Sequence, residues 1–179
     1  MKKDYILIIF TENHVGLLNQ VCTVLICKNV NIESITASES SIQGVHKYTV
    51  YVHAEPDEVA LVAKLIEKKV DVMKVFVYTP DEIIMQEIAL YKVSRGKNIE
   101  KLIREHNVRI LEVDDDFLIL ERTGHQEDTQ SLLKLLEPYG VQQFVRSGIV
   151  AVIKSKRELL SEFLETREKD LKEAKAQNV

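Results

Sequence analysis

The sequence predicts an α+β protein made of two consecutive units, each with the order strand, helix, strand, strand, helix, strand, followed by a C-terminal helix. Three observations support this prediction. Apolar segments of strand length alternate with segments of helical periodicity, the whole pattern occurs twice, and a proline-containing segment, TPDEIIMQ (79–86), separates the two copies. Two helices and four antiparallel strands per unit indicate the split-βαβ, or ferredoxin-like, arrangement with the helices on one face of the sheet.

The strands are predicted from short runs that are rich in β-branched and aromatic residues. In the first unit these runs are YILIIF, VNIESITA, KYTVYVHA and DVMKVFVY, at positions 5–10, 30–37, 47–54 and 71–78. In the second unit they are QEIALYKV, VRILEV, FLILER and VQQFV, at positions 86–93, 108–113, 117–122 and 141–145, and the last is open to continuation as GIVAVI.

The helices are predicted from apolar residues at i, i+3, i+4 and i+7 in the four segments between these strands. The matching sets are Leu18, Val21, Cys22, Leu25; Val59, Val62, Ala63, Ile66; Ile99, Leu102, Ile103, His106; and Leu132, Leu135, Leu136, Tyr139. Proline and two acids at 56–58 fit a helix start, and Pro138 with Gly140 fits a helix end.

The domain boundary is predicted at Pro80, because proline cannot donate a ladder hydrogen bond and so ends the fourth strand. The expected domains are residues 1–79 and 80–154. Residues 155–179 are rich in both acids and bases and carry apolar positions at helical spacing, which predicts an amphipathic C-terminal helix. That helix either packs on its own subunit or docks on a partner.

Composition excludes several classes of function. The chain has 24 Lys and Arg against 28 Asp and Glu, and its net charge of -4 argues against a basic surface for nucleic acid or membranes. The aromatic residues of the third strand do not form the RNA-binding motif that some split-βαβ proteins carry. The apolar run after MKKD is too short for a signal peptide or a membrane span, and a cytoplasmic location is expected.

Catalytic and metal-binding patterns are not found in the sequence, so no catalytic residue and no metal ligand is predicted. The five histidines lack metal-ligand spacing, and His106 is expected to pack on an apolar helical face. The acidic run 114–116 between two strands is interpreted as a hairpin turn, with Ca²⁺ or Mg²⁺ binding as the alternative. Cys22 and Cys27 are interpreted as packing residues.

The segment TENHVGLL (11–18) contains the candidate binding site. It joins a strand to a helix, and the first N–H groups of a helix lack partners and carry partial positive charge, which suits a carboxylate. Gly16 allows close approach, Leu17 and Leu18 are expected to wall an apolar pocket, and Asn13 offers an amide to a polar group. The competing interpretation is that Asn13 caps the helix and Gly16 is an ordinary turn residue.

A second asparagine, Asn31, followed by Ile32, begins the strand after this helix. In a βαβ unit that position lies at the opposite end of the sheet, so Asn31 is expected to serve the loop of another copy across a dimer interface. A sheet covered by helices on one face only leaves its other face and its edges free, which favours a two-fold dimer. An anion site, amides and aliphatic walls together describe a site for a free aliphatic amino acid.

The stretch TENHVGLLNQVCTVLICKNVNIESITASES resembles the N-terminal ACT domain of the regulatory, or small, subunit of acetolactate synthase. The resemblance continues through VDVMKVFV, MQEIALYKV and VRSGIVAV, and so covers roughly residues 4–153. It implies an N-terminal ACT domain and a second ACT-like domain. Its most specific part is the pair of asparagine motifs that begin at Asn13 and Asn31.

The resemblance implies a chain without an active site that activates a thiamine-diphosphate-dependent catalytic subunit and confers feedback inhibition by valine. It places the effector site at the ACT dimer interface, between Asn13, Gly16, Leu17 and Leu18 of one copy and Asn31 and Ile32 of the other. Thiamine diphosphate, magnesium and FAD are expected only in the catalytic partner, and no cofactor in this chain. The alternative is a free-standing ACT sensor that controls another enzyme or regulator.

Overall fold

The computed structural model describes residues 1–96, 99–155 and 165. The predicted element order is confirmed in both units. The first unit consists of β1 (Lys3–Glu12), α1 (Leu17–Cys27), β2 (Ile32–Glu39), β3 (Val45–Ala54), α2 (Pro56–Glu67) and β4 (Val72–Tyr78). The second consists of β5 (Ile83–Ser94), α3 (Ile99–Glu105), β6 (Arg109–Val113), β7 (Phe117–Gly124), α4 (Gln126–Leu136) and β8 (Val141–Arg146). A further strand, β9 (Val150–Ile153), pairs with β5.

The described chain divides into two compact units. The first holds residues 1–33, 37–84 and 152–155, and the second holds residues 34–36 and 85–151. Pro80 begins a 3₁₀ turn (Pro80–Glu82) between β4 and β5. The domain bounds expected from the sequence stay a prediction. The predicted C-terminal helix lies outside the described residues, except for positions 155 and 165.

The first unit has a four-stranded antiparallel sheet in the order β2-β3-β1-β4. β1 is central and pairs in register with β3 from Lys3 opposite Ala54 to Glu12 opposite Val45. Four consecutive residues of β1, Ile6 to Ile9, are buried, and because side chains alternate along a strand, both faces of β1 are covered. The expectation of an uncovered face is therefore wrong at the centre of this sheet.

Aromatic residues help to cover one of these two faces. Ile8 lies opposite Phe76 and Ile6 lies opposite Tyr78 on the neighbouring strand β4. Phe76 packs edge-on against Phe10 at 6.1 Å between ring centroids and stacks on Tyr78 at 6.4 Å. β2 and β4 remain the edge strands of this sheet.

The second unit has a sheet with the path β6-β7-β5-β8. Its core is a cluster of buried apolar residues from β5, α3, β7 and α4, together with Val108, which precedes β6; the cluster consists of Ala89, Tyr91, Val93, Ile99, Ile103, Val108, Leu118, Leu120, Leu132 and Leu136. The Tyr91 hydroxyl donates to the Thr129 carbonyl at 2.7 Å, and burial raises the pKa of Tyr91 to about 12. The phenol therefore remains protonated near neutral pH and acts as a structural hydrogen-bond donor.

A buried carboxylate accompanies that core. Glu87 is 3% exposed and accepts a hydrogen bond from the Thr129 hydroxyl. The Arg146 guanidinium lies 3.8 Å from the same carboxylate oxygen. A charged group at this depth needs such partners, because an unsatisfied buried charge is strongly destabilising.

The helix faces are predicted correctly in part. In α2 the four predicted residues are the buried ones. In α1 the buried residues are Leu17, Val21, Val24 and Leu25, so the buried face is rotated away from Leu18 and Cys22. The expectation that His106 packs on an apolar face is wrong, because α3 ends at Glu105 and His106 is exposed. Cys27 is also exposed rather than packed.

The acidic run between β6 and β7 forms a turn, as predicted. The Asp116 N–H donates to the Asp114 side chain at 3.2 Å, and the Asp114 N–H donates to the Phe117 carbonyl at 2.9 Å. These bonds are typical of a hairpin connection in which an aspartate side chain accepts a hydrogen bond from a backbone N–H two residues later. Within the described part of the chain, none of the helices has the length and apolar character that crossing a membrane requires.

Candidate functional site

The loop between β1 and α1 is the candidate functional site. β1 ends at Glu12, α1 begins at Leu17, and Gly16 is the residue immediately before the helix. Gly16 has φ of +86°, in the left-handed region that glycine adopts without steric cost. A Cβ atom built at this position meets nothing within 4 Å, so the backbone here faces open space. An incoming ligand could therefore approach the backbone closely.

The start of α1 has no capping side chain among the described residues and no acid in its first turn. The Leu17 N–H bonds weakly to the His14 carbonyl at 3.3 Å, and the helical bonds resume with the Gln20 N–H to the Gly16 carbonyl. The positions between them carry the partial positive charge that a helix start concentrates. This end of α1 can therefore accept an external carboxylate.

The starts of α2 and α4 differ from that of α1. The Glu55 N–H donates to the Glu58 carboxylate at 3.0 Å, and the His125 N–H donates to the Asp128 carboxylate at 3.2 Å. Both helices also carry acids in their first turn. Their positive ends are thus neutralised within the chain, whereas no described residue caps the start of α1 or places an acid in its first turn.

The structure decides one of the alternatives for Asn13. The residue at the cap position is Gly16, so Asn13 is not the cap of α1. Asn13 is exposed in the loop, with its amide accessible to solvent. Its predicted contact with an effector stays a prediction.

The apolar side chains around the loop are arranged differently from the expectation. Leu17 is 1% exposed and belongs to the core, so it can reach a ligand only through its backbone. Leu18 is partly exposed and Val15 is fully exposed. Val15 was not predicted as a site residue, because its exposure next to the cap position is visible only in the structure.

Thr11 is a second residue that the sequence reasoning missed. It lies two positions before Asn13, is 0% exposed, and its hydroxyl has no hydrogen-bond partner among the described residues. Buried hydroxyls in folded proteins nearly always have a partner, so this one has unused hydrogen-bonding capacity at the end of β1.

Asn31 and Ile32 are not brought to this loop within one chain. They follow the C-terminal end of α1, and eleven helical residues at 1.5 Å each separate that end from Gly16 by about 16 Å. The Asn31 amide donates to the Glu33 carboxylate at 2.8 Å and is exposed. A site that contains both Asn13 and Asn31 therefore needs a second copy of the chain.

Two of the resolved pKa shifts, those of Tyr51 and Glu82, have structural causes. Burial and the neighbouring Asp4 raise the pKa of Tyr51 to about 12. Hydrogen bonds from the backbone and hydroxyl of Thr79 lower the pKa of the Glu82 carboxyl. Both shifts move the group away from neutral pH, where a general acid or base would titrate.

Comparison with known proteins identifies relatives of both predicted domains. Residues 7–74 match the family described as AHAS small subunit-like ACT domain, and residues 86–155 match the small subunit of acetolactate synthase. The acetolactate synthase small subunit of Bacillus subtilis is 32% identical over 144 residues, which cover 78% of this chain and 84% of that protein. The Mycolicibacterium smegmatis small subunit is 27% identical over 154 residues, which cover 83% of this chain and 90% of that protein.

A solved structure agrees with these matches. The crystal structure of the acetolactate synthase small subunit from Thermotoga maritima superposes with a TM-score of 0.80 at 25% identity. The superposition covers 87% of this chain and 99% of that one. The fold of this chain is thus one already seen in a crystal structure.

Proposed function

Because the chain belongs to the family of acetolactate synthase small subunits, we propose that it is the regulatory subunit of that enzyme. In this proposal it binds and activates the thiamine-diphosphate-dependent catalytic subunit in the cytoplasm and confers feedback inhibition by valine. Thiamine diphosphate, magnesium and FAD act in the catalytic partner, and the chain itself performs no covalent step.

The observation that carries the effector proposal is the uncapped start of α1. A free amino acid presents a carboxylate, an ammonium group and a side chain within a few ångströms. The helix start next to Gly16 supplies partial positive charge for the carboxylate, and Leu18 and Val15 supply exposed apolar surface for a branched side chain. The carbonyl oxygen of the Asn13 amide can accept from the ammonium group.

The second half of the proposed site comes from a partner copy. Ile32 begins β2 and Asn31 immediately precedes it. β2 is an edge strand of the first sheet, and edge strands are the places where a second chain can add. In a two-fold dimer each loop at Gly16 would meet the Asn31 of the other copy, which gives two equivalent sites. We therefore propose a homodimer through the ACT domains.

Regulation then follows from linkage. Valine can change how the small subunit engages the catalytic subunit only by its difference in affinity for the two arrangements of the complex. Coupling free energies of this kind are typically about 1–3 kcal/mol. Such a coupling requires two binding surfaces on this chain and no active site.

The experiment that tests the function is reconstitution with the acetolactate synthase catalytic subunit of the same organism. The small subunit should co-purify with it, raise its rate of acetolactate formation, and make that rate sensitive to valine. The small subunit alone with pyruvate should form none above background. Valine binding without co-purification or activation would instead favour a free-standing sensor, and acetolactate formed by the chain alone would contradict a non-catalytic role.

Replacing Asn31 by alanine is expected to weaken valine binding by about 1–3 kcal/mol, because one polar group of the ligand loses its partner. The affinity is measured by calorimetric titration of the full chain. Glu33→Ala is the matched control, since it removes the internal partner of Asn31 and leaves the asparagine in place. An unchanged affinity in Asn31→Ala would remove Asn31 from the site.

A further inference from the structure

Three side chains of types that can ligate a metal ion lie together at the base of the candidate loop. Glu12, His14 and Asp71 each place one possible ligand atom so that the three atoms lie within 4.8 Å of one another. His14 Nδ1 is 3.4 Å from an Asp71 carboxylate oxygen, and His14 Nε2 is 3.7 Å from a Glu12 carboxylate oxygen. All three residues belong to the first unit.

The backbone fixes the positions of all three residues. Glu12 is the last residue of β1 and Asp71 immediately precedes β4, and the Glu12 N–H donates to the Asp71 carbonyl at 2.9 Å. His14 lies in the following turn, where its carbonyl accepts from the Leu17 N–H at 3.3 Å. The three side chains are thus brought together by the adjacent ends of β1 and β4 and by the turn that follows β1.

We propose that Glu12, His14 and Asp71 bind a divalent transition-metal ion of the zinc type. One imidazole and two carboxylates are a donor set that zinc accepts, and three protein ligands leave a fourth position for water or another ligand. The metal site goes beyond the proposed effector function and does not depend on it. It also departs from the expectation that the chain holds no metal, because Asp71 lies far along the sequence from His14.

The geometry needs a small adjustment to accept the ion. In tetrahedral coordination with bonds of about 2.1 Å, ligand atoms lie about 3.4 Å apart. The imidazole now presents a different nitrogen to each acid, so one carboxylate must rotate toward the nitrogen that binds the metal. The side chains of His14, Glu12 and Asp71 are 57%, 52% and 29% exposed, which leaves room for that rotation.

Metal binding would immobilise the effector loop. His14 lies between Asn13 and Gly16, and the other two ligands belong to the ends of β1 and β4. A bound ion would therefore link the loop to the ends of both strands. Occupancy of this site is a second input, chemically independent of an amino acid, at the same surface.

The test is calorimetric titration of the chelator-treated full chain with ZnCl₂, alongside His14→Gln and the control His53→Gln. His53 is also exposed, but it faces a single carboxylate, that of Asp4 at 2.8 Å. Loss of groups that merely orient a ligand weakens metal binding about 10–100-fold, so loss of the His14 ligand should weaken it by at least that factor. His53→Gln should bind zinc as the wild type does.

Two results would overturn the metal site. One is a wild-type chain that binds no zinc at one equivalent, in which case the cluster is only a histidine between two acids. The other is zinc binding that His14→Gln leaves unchanged. Asp71→Asn provides a second variant that retains the imidazole, and it should also weaken zinc binding. Because no catalytic subunit or valine is present, failure of this test leaves the proposed function untouched.

Discussion

Replacing Gly16 by aspartate is expected to abolish valine inhibition of the reconstituted enzyme and to leave activation largely intact. The new carboxylate would occupy the position that the effector carboxylate is proposed to take at the start of α1. Since a Cβ there meets nothing within 4 Å, the fold has room for it, and the left-handed backbone costs only about 1–2 kcal/mol. Acetolactate formation measured over a range of valine concentrations gives the result.

Gly44→Asp is the matched control for this substitution. Gly44 has φ of +79° and equally open surroundings, so aspartate there has the same backbone cost and adds the same charge in the turn between β2 and β3. It should retain both inhibition and activation. If Gly16→Asp loses inhibition and activation together while Gly44→Asp keeps both, Gly16 is needed for folding or docking and the effector site is misplaced.

Thr129→Val is expected to lower the stability of the second unit by about 1–3 kcal/mol. Valine fills the same volume but removes the hydroxyl that donates to the buried Glu87 carboxylate. The remaining partner in the vicinity, the Arg146 guanidinium at 3.8 Å, is too distant for a direct hydrogen bond. Amide hydrogen exchange in β5 and β7 of the full chain reports the free energy of opening of this unit.

Thr123→Val separates this effect from the general cost of valine at a threonine position. The Thr123 hydroxyl also donates to a glutamate, Glu121, at 2.9 Å, but Thr123 is exposed and water can replace the bond. Its substitution should change the free energy of opening by less than about 0.5 kcal/mol. Equal effects at the two positions would show that Glu87 does not depend on Thr129.

The sequence predicted the fold because its signals are local and repeated. The strand runs and helical periods occur in the same order twice, and each is readable within about ten residues. A turn at Gly16 could also be predicted, since glycine adopts a left-handed backbone without steric cost, but the cap position could not, because the competing interpretation placed it at Asn13. These features need no knowledge of distant contacts.

The parts that the sequence did not predict depend on tertiary contacts. Leu17 and Leu18 are neighbours of identical chemistry, and only the packing of α1 places one in the core and the other on the surface. His106 matches the helical period, but α3 ends one residue earlier. Asp71 joins His14 because two strands pair. Periodicity alone carries no information on any of these.

The central position of β1 also affects how the chain can fold. Both of its neighbours, β3 and β4, come later in the sequence. Both edges of β1 are therefore paired only after the chain up to the end of β4, at position 78, has joined the sheet. Contacts between such distant segments slow folding, because the chain loses loop-closure entropy before these contacts stabilise it. Until then YILIIF is an unpaired β-prone segment that can associate with other chains, and refolding at low protein concentration should give the higher yield.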